Sequence, residues 1–179
     1  SHGGPSGNKP KLKQYIFCDL AKGSNSDVYG VDLIEAGLRT LQYQSIATTN
    51  KSNKMHIKSK DALANIPPHK GMMVLNRKTR PPPLTPSKDN DSGVLSPSQR
   101  ALGDLKSYFN NIANAFGILC AIAVLNGMYK EGHELYNVGY IYIIGYIDNE
   151  ADLVQAIARA FRNCGSTALP WTPGRGAEV

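Results

Sequence analysis

Leu135-Tyr-Asn-Val-Gly-Tyr-Ile-Tyr-Ile-Ile-Gly-Tyr-Ile147 is the stretch on which the fold turns. Its period is two: Tyr136, Val138, Tyr140, Tyr142, Ile144 and Tyr146 fall on one face, and Leu135, Ile141, Ile143 and Ile147 on the other. That spacing predicts a β-strand, and apolar residues on both faces predict an interior one. Gly139 and Gly145 mark a bulge or a close contact along it. Asp148-Asn149-Glu150 then caps a helix with the stripe Leu153, Val154, Ile157, Ala160 and Phe161, ending at Asn163 to Gly165.

Upstream, Ser96-Pro97-Ser98-Gln99 is a helix start, with Ser as cap, Pro at the first helical position and Gln at the third. Leu102, Leu105, Phe109, Ile112, Phe116, Leu119 and Ala123 follow at steps of three and four. They predict one long helix reaching Gly127, its second half buried on all sides and too short to span a bilayer. A seam of this kind packs a core or pairs with a helix of another subunit.

At the other end, residues 14–20 read as a strand, followed by a turn at residues 22–27. Ser26 or Asp27 then caps a helix with the stripe Val31, Ile34, Leu38 and Leu41; Gly37 inside it points to close packing. Residues 44–49 and 54–58 read as short strands joined by Asn50 to Asn53, with another strand over Gly71 to Asn76. Together these elements predict a single α+β domain: a small mixed sheet packed against about three helices. The domain spans residues 11–166, preceded by a loose leader (1–10) and followed by a tail (167–179).

Hydrophobic residues make up 41% of the 179 and charged residues 19%, which fits a globular chain. The net charge of +6 is concentrated. Between residues 51 and 88, Lys51, Lys54, Lys58, Lys60, Lys70, Arg77, Lys78, Arg80 and Lys88 stand against the one acid Asp61. Residues 51–97 also hold most of the prolines, so they read as a long basic, Pro-rich insertion with an extended arm over residues 80–96. Lys51, Lys54, Lys58, Lys60, Lys70, Arg77, Lys78 and Arg80 are the candidate anion- and nucleic-acid-binding residues. Almost no aromatics accompany them, so contact with nucleic acid runs through phosphates rather than stacked bases. With Met72, Met73 and Leu75 inserted, the same segment suits anionic lipid. Pro81, Pro82 and Pro83 form a ligand for a proline-reading domain, and Trp171 covers the chain's own core or enters a second copy.

Catalytic signatures are missing from the sequence. Cys18, Cys120 and Cys164 lack metal-ligand spacing and read as reduced thiols of an intracellular protein. His56 and His69 have no acid at useful spacing, and His133 lies in a polar turn. No catalytic residue, metal or cofactor is assigned. Asp19, at the end of the first strand, is the starting point of one alternative, a metal-dependent nuclease, and Asp148 also follows a strand.

Two stretches carry a family likeness. Tyr15-Ile16-Phe17 with the polar turn and the helix from Val31 to Leu41 is one; the Tyr/Ile strand running through Ile147-Asp148-Asn149-Glu150 into a helix is the other. The arrangement resembles that of rhabdovirus matrix proteins, over about a third of the chain. That resemblance implies a small basic structural protein that self-associates and contacts nucleocapsid and anionic membrane, peripheral to the membrane or within a virion. The internal proline run lacks the Tyr of a PPxY motif, and no functional residue is carried over. The expectation is a non-enzymatic, self-associating assembly protein, with the nuclease and a proline-motif adaptor as alternatives.

Overall fold

Tyr15 to Cys18, Met72 to Leu75 and Ile122 to Leu125 are apolar at every position, and they lie side by side. A strand without a polar face needs cover above and below, and a parallel sheet between layers of helix supplies it. The computed structural model describes residues 11–18, 30–49, 55–75, 97–126, 134–145, 150–158 and 160. Strand Lys13–Cys18 (β1) leads through helix Val31–Thr40 (α1) to Gln44–Ser45 (β2). Next come Ala47–Thr49 (β3), Met55–Ile57 (β4), the short helix Lys60–Ala64 (α2) and Gly71–Leu75 (β5). Helix Pro97–Asn110 (α3) and a 3-10 turn at Ile112–Asn114 precede Ile122–Asn126 (β6), Val138–Ile144 (β7) and helix Glu150–Ala158 (α4).

β2, β5, β6, β1 and β7 form one sheet in that order, with every neighbouring pair parallel. β3 and β4 form a separate antiparallel pair. The α+β domain with mixed strand pairing is therefore present, with parallel pairing in the main sheet and antiparallel pairing in the hairpin. Alternation divides the core into two layers. Ile16, Cys18, Met72, Val74, Ile122 and Val124 face α1 through Val31, Ile34 and Leu38. Tyr15, Phe17, Met73, Leu75, Ala123 and Leu125 face Leu102, Leu105 and Phe109 of α3, Met55 of the hairpin and Ala156 of α4.

The single helix expected from Ser96 to Gly127 is replaced by α3, the 3-10 turn and strand β6. The seam is real as far as Phe109, which is fully buried, but Ile112 is 71% exposed. Asn111 accepts the Ala113 amide in a cap that starts the 3-10 turn, and Gly117 takes a positive φ of 70°. Beyond that break, an apolar run on all faces suits a central strand as well as a buried helix.

Among the described residues β7 is an edge strand, not the interior one expected. Its Tyr140 and Tyr142 are 50% and 46% exposed because no described element covers the α1 side of the sheet beyond β1. Gly139 is a bulge as expected: Lys13 pairs with Val138 and Gln14 with Tyr140, which leaves Gly139 as the extra residue against Leu12.

Smaller differences have local causes. α1 starts at Val31 on Gly30 (φ 66°) with no side-chain cap, while Ser26 and Asp27 lie outside the described residues. Gly37 packs against nothing, since a methyl group there would meet open space, so the close contact expected of it is absent. Leu41 and Val154, both expected in buried stripes, are exposed. α2, unexpected from the sequence, starts at Ser59, whose hydroxyl accepts the Ala62 amide. The short strands near residues 44–58 and 71–76 are present as β2 to β5.

Candidate nucleic-acid interface

A parallel sheet has an amino rim, where its strands begin, and a carboxyl rim, where they end. The two rims differ here. At the amino rim Asn114 is fully buried and serves four backbone groups. Its amide donates to the carbonyls of Phe109 (2.9 Å) and Cys120 (3.0 Å), and its oxygen accepts the amides of Leu119 and Cys120 (both 2.9 Å). Asn110 ties the end of α3 to the entry of β7, donating to Glu134 O at 2.9 Å and accepting the Tyr136 amide at 2.8 Å.

Lys13, the first residue of β1, is fully buried in the same place. Its Nζ donates to Phe109 O at 2.8 Å and lies 4.3 Å from the centre of the Phe109 ring. Burial pushes its pKa from 10.5 down to about 8, while the field of Cys120 acts the other way. Burial raises the Cys120 thiol to about 12, with Lys13 and two backbone hydrogen bonds opposing. An ammonium on the last carbonyls of α3 also meets the negative end of that helix dipole. Enclosure on this scale gives substrate no access, so the pair is a structural clasp. Nothing in the sequence marked Lys13 or Asn114, because their partners come from segments about 100 residues apart or from a turn read as helix.

Of the eight candidate cations, the structure describes Lys58, Lys60 and Lys70. Lys70 directly precedes β5 at the amino rim, and β5 ends at Leu75 on the carboxyl rim. Lys70 is engaged locally, donating to Leu41 O at 2.9 Å with its Nζ 4.7 Å from the Tyr43 ring centre. Lys58 follows β4 half-buried, its amide donating to Ile46 O, and Lys60 opens α2 exposed. Lys51 and Lys54 belong to the β3–β4 connection, which lies outside the described residues, as do Arg77, Lys78, Arg80, Lys88, Pro81, Pro82, Pro83 and Trp171.

Met72, Met73 and Leu75 are fully buried in β5 and are not offered to lipid, so the expectation that they dock on a membrane is withdrawn. Cys18 and Cys120 are buried thiols on opposite sides of the sheet. Among the described residues no group of His, Cys, Asp or Glu is arranged to hold a metal ion, and no helix is long and apolar enough to cross a membrane. His56 is exposed on β4; His69 adopts φ 62° and donates its amide to Ile118 O. Asp19, His133, Asp148 and Cys164 lie outside the described residues.

The carboxyl rim is where open parallel sheets take up ligands, because connections diverge there and helix N-termini converge. The five parallel strands end there at Cys18, Ser45, Leu75, Asn126 and Ile144. Arg77, Lys78 and Arg80 follow Leu75 in the sequence. Comparison with protein-family models, with curated proteins and with solved structures found no match.

Proposed function

We propose that this protein is a non-catalytic assembly protein that associates with itself and holds the phosphate backbone of a nucleic acid at the carboxyl rim of its sheet. The observation that carries the reading is the placement of β5. Buried on both faces, it ends at Leu75 on the rim where parallel sheets receive ligands, and Arg77, Lys78 and Arg80 follow within five residues in the sequence. Lys51, Lys54, Lys58 and Lys60 add a second cationic group around the hairpin. A nucleic acid is favoured over lipid because the apolar residues that would enter a bilayer are in the core. The likeness to rhabdovirus matrix proteins supports the same reading, with a location inside cells or virions.

Fluorescence anisotropy with mixed-sequence single-stranded RNA tests this. Replacing Arg77, Lys78 and Arg80 together by Glu should weaken binding at least about tenfold and flatten its salt dependence. Unchanged affinity would remove the proposal, and binding to phosphatidylserine vesicles without RNA binding would shift it to lipid.

One observation favours a second reading. Asp19 directly follows Cys18, the last residue of the inner strand β1, whose neighbours in register are Asn126 and Ile144. Metal-dependent nucleases use a carboxylate in such a place. Magnesium-dependent cleavage of RNA that is lost in Asp19→Asn would establish it.

A further inference from the structure

We infer that the outer edge of β7 is the surface through which two copies of this chain pair, antiparallel and across a two-fold axis centred on Tyr142. The inference rests on the assembly half of the function proposed above and not on its nucleic-acid half.

β7 is the longest strand of the sheet, at seven residues, and it lies at one end of it. Its inner edge is occupied by β1; among the described residues no strand pairs with its outer edge. A bare edge presents a row of amides and carbonyls that only another strand satisfies fully. Proteins normally guard such an edge with a Lys, a Pro or a very short strand. The opposite edge, β2, follows that rule at two residues. Val138-Gly-Tyr-Ile-Tyr-Ile-Ile144 does not: it has no charge and no proline. Its bulge lies at Gly139, before the straight stretch Tyr140 to Ile144.

The occupant follows from charge and pattern. The excess positive charge lies in residues 51–88, and this neutral strand lets two copies meet without like charges opposed. Antiparallel pairing about Tyr142 sets Tyr142 opposite its own copy, Ile141 opposite Ile143, and Tyr140 opposite Ile144. Residues of one face then meet residues of that same face, so half-exposed Tyr142 stacks on its own copy and half-exposed Tyr140 on Ile144. An isologous contact of this kind closes on itself and yields a dimer rather than a fibre. The two sheets become one sheet of ten strands.

Sedimentation equilibrium of the full chain at micromolar concentration, with and without Tyr140→Lys and Tyr142→Lys together, tests the inference. The wild type should have twice the 19.4 kDa chain mass and the double variant a single chain mass, with the same circular dichroism and the same RNA affinity per chain at matched salt. In a Cys164→Ser background, Tyr142→Cys should form a disulfide-linked dimer under mild oxidation and Val154→Cys, on exposed α4, should not. A dimeric double variant would overturn the edge and leave assembly elsewhere on the molecule. A monomeric wild type would overturn both. A wild type that dimerises only after residues 161–179 are removed would mean that the chain's own tail occupies the edge, and would overturn the inference as well. Loss of RNA binding without loss of the dimer bears on the nucleic-acid reading alone.

Discussion

Asn114 closes four hydrogen bonds with one side chain, and every partner is a backbone group in or next to the core. Asn114→Ala leaves the amides of Leu119 and Cys120 without that acceptor, the first half-buried and the second buried. The expected cost is about 2–4 kcal/mol, since each buried group stripped of its partner costs about 1–3 kcal/mol and relaxation recovers part. A lower urea midpoint at unchanged slope is the measurement. Lys13 makes a prediction in pH. Its folded pKa of about 8 lies below the unfolded 10.5, so between those values the unfolded chain binds the extra proton. Stability from this group therefore rises with pH across that window, by at most about 1.4 kcal/mol per pH unit, and is flat below it. Cys120 acts oppositely, because the unfolded thiol ionises from about pH 9 while the folded one stays neutral to about 12. Comparison with Lys13→Met isolates the lysine: the wild type should gain on the variant from pH 8 to 10.5. A constant difference would mean that Lys13 titrates normally.

Among the elements, two glycines of equal appearance in sequence separate sharply. Gly37, in mid-helix, has open space where a Cβ would go, so Gly37→Ala should raise stability by about 0.5–1 kcal/mol through helix propensity and backbone entropy. Gly71, at the start of β5, faces the Leu119 carbonyl so closely that a Cβ cannot fit. Gly71→Ala should cost about 1–3 kcal/mol, read in the same thermal melts. The sequence showed most elements because their periods are local: β1, β5, the α3 start at Pro97 and the switch to period two before β7 all stand where patterning puts them. It failed over β6. Ala121 to Leu125 is apolar throughout, and the three-four spacing from Leu102 runs into it by coincidence, so periodicity has nothing with which to tell helix from strand. The true boundary is set by Asn111 and Asn114, whose partners are backbone groups that only the folded turn assembles. β7 was mistaken for an interior strand for a related reason: its apolar outward face has no partner among the described residues.

For the molecule as a whole, the charge asymmetry was legible by counting, but its division was not. Only the sheet order shows that Lys70 lies at the amino rim while β5 ends at the opposite rim, with Arg77, Lys78 and Arg80 following it in the sequence. The salt dependence of RNA binding should record this. Each phosphate contact contributes about 0.7 to the slope on single strands, so the triple Glu variant at Arg77, Lys78 and Arg80 should lose about 2 from it. Lys70→Glu, at the far rim, should lose almost nothing. The sheet order bears on synthesis too. β1 is made first, yet both its neighbours, β6 and β7, are made more than a hundred residues later. A nascent chain that has emerged only as far as α3 carries Tyr15 to Cys18 with no strand to pair on either edge. Such distant pairing makes for slow folding and long exposure of apolar chain. An N-terminal fragment ending before Ile122 should therefore aggregate rather than fold, and production of the intact protein should depend on how quickly its last third follows the first.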